Sequence, residues 1–105
     1  MPTNSSYFLA IRGDFHPGKD INDFLQWFEK YKNEQKQWSV SSAQIFGMWF
    51  GGDRQLTCLY RVDSIDHWSA SVESESGYIA ISDVCKILNP KSLKFEVLKE
   101  IPVQF

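Results

Sequence analysis

The chain lacks a basic stripe, a long apolar run and any cluster of cysteine and histidine. Lys and Arg total 11 against 13 Asp and Glu, the net charge is -2 and the pI is near 5.6. These charges are scattered, so the electrostatic footprint of a nucleic-acid binder is missing. No apolar stretch approaches the roughly 20 residues that span a bilayer. Residues 1–6 do not pair a basic segment with an apolar one, so neither leader nor membrane contact is expected, and the expected location is the cytoplasm. Cys58 and Cys85 stand in different elements without a Cys-x-x-Cys pair or a nearby His, which argues for two buried thiols rather than a zinc set. Repeats, low-complexity tracts and any recognisable catalytic signature are also absent.

What the chain does have is aromatic and aliphatic surface. Its 105 residues are 43% hydrophobic and include four Trp, four Tyr and eight Phe, enough for one domain, residues 1–105, with a two-layer core. Tyr7 to Phe15 reads as a strand, with Tyr7, Leu9, Ile11 and Phe15 on one face and Phe8, Ala10, Arg12 and Asp14 on the other. His16-Pro17-Gly18 ends it. Asp20 can cap a helix carrying Asp23 in its first turn, and Ile21, Phe24, Leu25, Phe28 and Tyr31 then recur at helical spacing, predicting a helix to about Lys36. Ser42 to Val62 reads as a hairpin around Gly51-Gly52-Asp53. Asp63-Ser64 caps a second helical region with Ile65, Trp68 and Val72 on one stripe. That region breaks at the polar residues 73–77 and resumes through Tyr78, Ile79, Val84, Ile87 and Leu88 until Asn89-Pro90 stops it. A last strand is expected from Leu93 to Val103.

The order strand, helix, strand, strand, helix, strand is the split βαβ arrangement, an α+β ferredoxin-like βαββαβ fold with a four-stranded antiparallel sheet and both helices on one face. The first hairpin strand, Ile45-Phe46-Gly47-Met48-Trp49-Phe50, is apolar on both sides, whereas a strand with one wet side should alternate. Helices can cover only one of those sides. A soluble monomer seldom exposes so large an apolar patch, so the sheet back is expected to be buried in a homodimer.

Three passages carry a resemblance across most of the chain: Gly47-Met48-Trp49, Leu59-Tyr60-Arg61-Val62-Asp63, and Ser64-Ile65-Asp66-His67-Trp68. Together they resemble the dimeric α+β barrel superfamily, which includes antibiotic-biosynthesis monooxygenases, stress-responsive barrel proteins, small polyketide cyclases and the NIPSNAP group. The resemblance implies a dimeric barrel and chemistry that ranges from cofactor-free oxidation to cyclisation and isomerisation; fold alone does not choose among these. Acid–base cyclases of the group often set a His and a Tyr near the end of the second helix. Tyr78 stands in that region without a His. The Asn, Trp and His of the haem-degrading members are not all matched, so no cofactor is expected.

Topology separates the remaining candidates. His16 belongs to the end of the sheet shared with Asp14, Asp53 and Arg54, while His67 belongs to the other end, nearly 20 Å away across a strand of about six residues. His16 beside a carboxylate is a possible general base, or a solvated turn residue. Arg12, in a central strand, either pairs with Glu96 of the last strand or binds an anionic or carbonyl group of a ligand. Tyr60 and Tyr78 can donate to a developing oxyanion, and a Trp wall can exclude water, but both residue types also fill cores. Trp27, Trp49 and Trp68 read as core, and Trp38 as partly exposed. The interrupted second helix is expected to leave a gap over the sheet.

The leading functional expectation is a cofactor-independent monooxygenase, cyclase or isomerase acting on a flat hydrophobic or polyketide-like molecule between helices and sheet. Tyr60, Tyr78, Arg12 and His67 are its first catalytic candidates and His16 the reserve. The alternative is a non-catalytic dimeric module that binds a small ligand or a protein partner. A filled interior would favour the second.

Overall fold

The computed structural model describes residues 7–47 and 55–104. Strand β1, Tyr7–Asp14, runs beneath helix α1, Ile21–Lys30, and the short helix α2, Lys32–Gln37. Strands β2, Val40–Gly47, and β3, Gln55–Val62, follow, then helices α3, Ile65–Val72, and α4, Glu75–Val84, and strand β4, Lys94–Lys99. The sheet order is β2-β3-β1-β4 and every neighbouring pair is antiparallel, which is the expected α+β ferredoxin-like topology. The turn Gly51-Gly52-Asp53, and with it Met48, Trp49 and Phe50, lies outside the described residues.

Local chemistry accounts for the elements. Asp20 accepts from the backbone N–H of Asn22 and Asp23 while the Asp23 carboxylate accepts from Asp20 N–H, a complete capping box that satisfies donors the first turn would otherwise leave open. Ser64 caps α3 by accepting from His67 N–H at 3.1 Å. The alternation of β3 is complete: Leu56, Cys58, Tyr60 and Val62 are buried and the residues between them are not. They pack with Leu9, Phe24, Trp27, Tyr31, Trp38, Ala80, Val84 and Leu88 into one core between the sheet and the helices.

Four expectations are corrected. The first helix does not run unbroken to Lys36; it kinks at Tyr31, where the backbone leaves helical geometry at φ -107° and ψ 22°. Trp38 is buried, because α2 folds it under the helical layer. The last strand ends at Lys99 rather than Val103, and Pro102, which has no N–H to give a ladder, follows closely. The break between α3 and α4 is only Glu73 and Ser74 wide, rather than residues 73–77, and its elbow is close-packed. Ser74 caps α4 through Gly77 N–H at 3.3 Å, and a Cβ at Gly77 would come within 2.5 Å of Val72 Cα and closer still to the Ser71 carbonyl oxygen.

The elbow therefore depends on a missing side chain. Gly77→Ala is expected to destabilise the fold by about 1–3 kcal/mol through overpacking, and Leu88→Ala by about 2–5 kcal/mol through a core cavity. Urea denaturation midpoints check both.

Candidate functional site

Between helices and sheet, among the described residues, Ile11, Phe24, Trp27, Cys58, Tyr60, Ile81, Val84, Leu88, Leu93 and Phe95 line a cavity of about 40 Å³. Such a space holds a water or two. Its polar groups are few and heavily perturbed. Burial pushes the Cys58 thiol up to about 12. Burial, followed by the neighbouring Cys58, raises Tyr60 well above the ordinary phenol value. Tyr60 donates to Oε1 of Gln35, a side chain 2% exposed, and stacks on Phe28 with ring centroids 6.3 Å apart. It is a neutral donor, not a base.

The other candidates lie elsewhere. Tyr78 is 71% exposed, since α4 turns Gly77 and Ala80 inward instead. Arg12 occupies the sheet face away from the helices and approaches Glu96 at 3.8 Å with both side chains about half exposed, the cross-strand partner foreseen for it. His67 Nε2 is 2.8 Å from the Gln37 carbonyl oxygen, tying α3 to the α2–β2 connection. His16 Nε2 is 2.8 Å from the Cys85 carbonyl oxygen and its backbone N–H donates to Ile87, so it fastens the turn after β1 to the end of α4. The two histidines thus sit at opposite ends of the sheet. Of the five candidates, the structure brings Tyr60 alone to the interior.

Two polar groups, the Trp68 indole N–H and the Gln35 amide, escaped the sequence reading. Trp68 Nε1 is buried without a hydrogen-bond partner among the described residues, and the Trp68 ring lies 6.1 Å from that of Phe95. Phe95 in turn lines the interior while remaining 51% exposed, so it is a thin wall between the closed space and the β4 edge. The signal available in sequence was an indole on an inward stripe, because a buried Trp N–H normally finds an acceptor. Gln35 is the second. Nothing in its local pattern distinguishes it from the solvated Gln37, and only Tyr60, 25 residues on, explains its burial.

A separate pair fixes the helices to one another. Tyr31 donates to Asp83 Oδ2, Lys30 and Lys86 reach the same carboxylate at 3.5 and 3.4 Å, and Trp27 Nε1 donates to the Ala80 carbonyl at 2.8 Å. The bond to Asp83 carries Tyr31 up to about 12; the same bond, with the two lysines, lowers Asp83 below its ordinary 3.8.

No protein-family model and no curated protein matches the sequence. Solved structures do match in shape. SnoaB, a cofactor-independent oxygenase from Streptomyces nogalater, superposes with a TM-score of 0.72 over 92% of this chain and 94% of that one, at 7% identity. The chain shares their α+β ferredoxin-like fold. A dimeric protein of unknown function with a ferredoxin-like fold from Bacteroides fragilis gives 0.58 over 90% and 95% of the two chains at 9% identity. An ethyl tert-butyl ether d family protein from Bacillus halodurans gives 0.61 over 90% and 99% at 14% identity. At such identities the likeness shows the fold.

Tyr60→Phe, which strands the Gln35 carbonyl, is expected to cost about 1–3 kcal/mol of stability, read from denaturation at pH 7. For Asp83 the folded carboxyl is the stronger acid, so its contribution is present above the ordinary carboxylate range and is lost as pH falls through the folded value. Asp83→Asn should therefore lower the urea midpoint at pH 7, with the gap from the parent closing below about pH 4.

Proposed function

We propose that this chain is a cofactor-independent enzyme that takes a flat, hydrophobic, polyketide-like small molecule between its helices and its sheet, and that it works as a homodimer. One observation carries the reading: the buried Trp68 N–H has no acceptor among the described residues, and it stands beside Phe95, a half-exposed ring that lines the apolar interior at the β4 edge. An unspent donor at the rim of an apolar space is what a substrate carbonyl would occupy. Rotation of the half-exposed Phe95 would join the interior to that rim.

The lining also limits the chemistry. Among the described residues it offers a phenol and a thiol, both kept neutral by burial, and no carboxylate, imidazole or amine. A general base is therefore not supplied from these walls. The reading suits a substrate whose own phenol or enol ionises readily, with the protein excluding water and Trp68 holding the oxygen that gains charge. SnoaB, similar in fold, is a cofactor-independent oxygenase, which supports the class but not the substrate. Oxygenation, cyclisation and isomerisation all remain within it.

The outer face of the sheet supports the dimer. Phe8, Ala10, Leu59, Phe46 and Leu98 gather there by strand alternation and register, with Phe46 48% exposed and Arg61 lying 4.5 Å over the Phe8 ring. A stable interface buries about 800 Å² on each partner, and a four-stranded face is of that order. The small enclosed volume favours the second reading, a non-catalytic dimeric module for a small ligand or protein, because drug-sized ligands need about 300 Å³ or more.

Titration with alizarin, a three-ring hydroxyquinone, followed by ¹H–¹⁵N NMR separates the two. The Trp68 indole N–H should shift to saturation, and Trp68→Phe should weaken binding about 3- to 10-fold, the worth of one hydrogen bond. An unmoved indole, with no cofactor-free turnover of hydroxyaromatic ketones in air, would leave the non-catalytic module. Light scattering should give twice 12.2 kDa, and Phe46→Glu with Leu98→Lys should return the single-chain mass.

A further inference from the structure

A second cavity, independent of the interior, opens between α2 and the edge strand β2. It measures about 170 Å³ and is lined by Phe28, Gln35, Val40 and Ala43 below and by Lys32, Lys36, Ser41 and Ser42 at the rim. Its charge is of one sign. Lys32 and Lys36 are one helical turn apart and make no ion pair among the described residues, although like charges at this spacing repel. Among the described residues no Asp or Glu lines the groove.

The floor is built rather than incidental. Gln35 is almost wholly buried, its Oε1 taken by Tyr60 and its Nε2 reaching the Phe28 carbonyl oxygen only at a long 3.4 Å. An amide nitrogen carries two donors, so one is unspent among the described residues, in a mostly apolar hollow. Phe28 adds a ring whose other face is already stacked on Tyr60. Gln35 and Tyr60 are thus a partition: Tyr60 faces the interior, Gln35 the groove.

From this geometry we infer that the α2–β2 groove is a binding site for a small monocarboxylate with an apolar, ring-sized body. The ring lies against Phe28, Val40 and Ala43, and the carboxylate sits between the ammonium groups of Lys32 and Lys36. The spare Gln35 N–H directs one of its oxygens. A neutral ligand would gain the apolar contacts without relieving the lysine repulsion, and a dianion would bring charge into a hollow that has one amide to receive it. The volume, below the about 300 Å³ of drug-sized pockets, sets the body at roughly a single ring.

Benzoate titrated into the full chain, followed by ¹H–¹⁵N NMR, tests the site. The Gln35 side-chain amide and the backbone of residues 40–43 should shift to saturation. Benzamide, equal in shape and uncharged, should bind about tenfold more weakly, and Lys32→Ala with Lys36→Ala should lower benzoate affinity by about the same factor. Both lysines are exposed, so the fold should survive, which circular dichroism verifies. Saturable shifts confined to Ile81, Phe95 and the interior, equal binding of benzamide, indifference to the double substitution, or no saturable shift would each overturn the inference. Because the Trp68 indole reports the interior and Gln35 the groove, loss of one site is distinguishable from loss of the other.

Discussion

The burial of one face of β3 under the aromatic rungs of α1 is the constraint from which the rest of the molecule follows. Leu56, Cys58, Tyr60 and Val62 point into the helical layer, and Phe24, Trp27, Phe28 and Tyr31 come down on them at helical spacing with neighbouring rings 5.4–6.4 Å apart. Aromatic side chains of this size bring both apolar area and polar tips, and each tip needs a partner once water is gone. Trp27 is answered by Ala80, Tyr31 by Asp83 and Tyr60 by Gln35. These three bonds fix α1 to α4 and α2 to the sheet. Trp68 is the exception: its buried N–H has no partner among the described residues.

The same constraint explains why the polar residues with familiar catalytic chemistry stand at the edges. Where the helical layer presses on the sheet, the space is apolar and nearly closed, and charge is excluded. Both histidines are used as fasteners for connecting segments, and Arg12 is used on the opposite face against Glu96. Inside, the ionisable groups are held in their neutral forms. Any chemistry housed there relies on desolvation and on a directed donor more than on proton transfer by side chains.

Much of the architecture was legible because it rests on local pattern. The alternation from Tyr7 to Phe15 and the Asp20 and Ser64 caps each state their element within a few residues, whereas α4 already ends at Val84, short of the expected stop at Asn89-Pro90. The candidate site was far less legible. Tyr60, expected between helices and sheet, lines that interior, whereas Tyr78 and Ile79 face water while Val84 and Leu88 of the same expected stripe are buried, since the close packing of Gly77 on Ser71 and Val72 sets how α4 rolls. Trp38 looked like a half-wet residue at a strand start, and its burial follows from the turn at Ser39, whose φ of 73° no periodicity announces. Gln35 and Trp68 matter through partners that are present or missing across the fold, and a single residue's neighbours in sequence do not carry that.

The side-chain-free contact at Gly77 has one more consequence. With backbone pressed on backbone at the elbow, α3 and α4 cannot bend independently, so together they form a stiff lever laid across the sheet. One end is pinned through His67 to the segment before β2, and the other through the residues after α4 to the turn that follows β1. Both ends of the elbowed pair are thus held by hydrogen bonds to connecting segments, while every residue of β4 stays exposed.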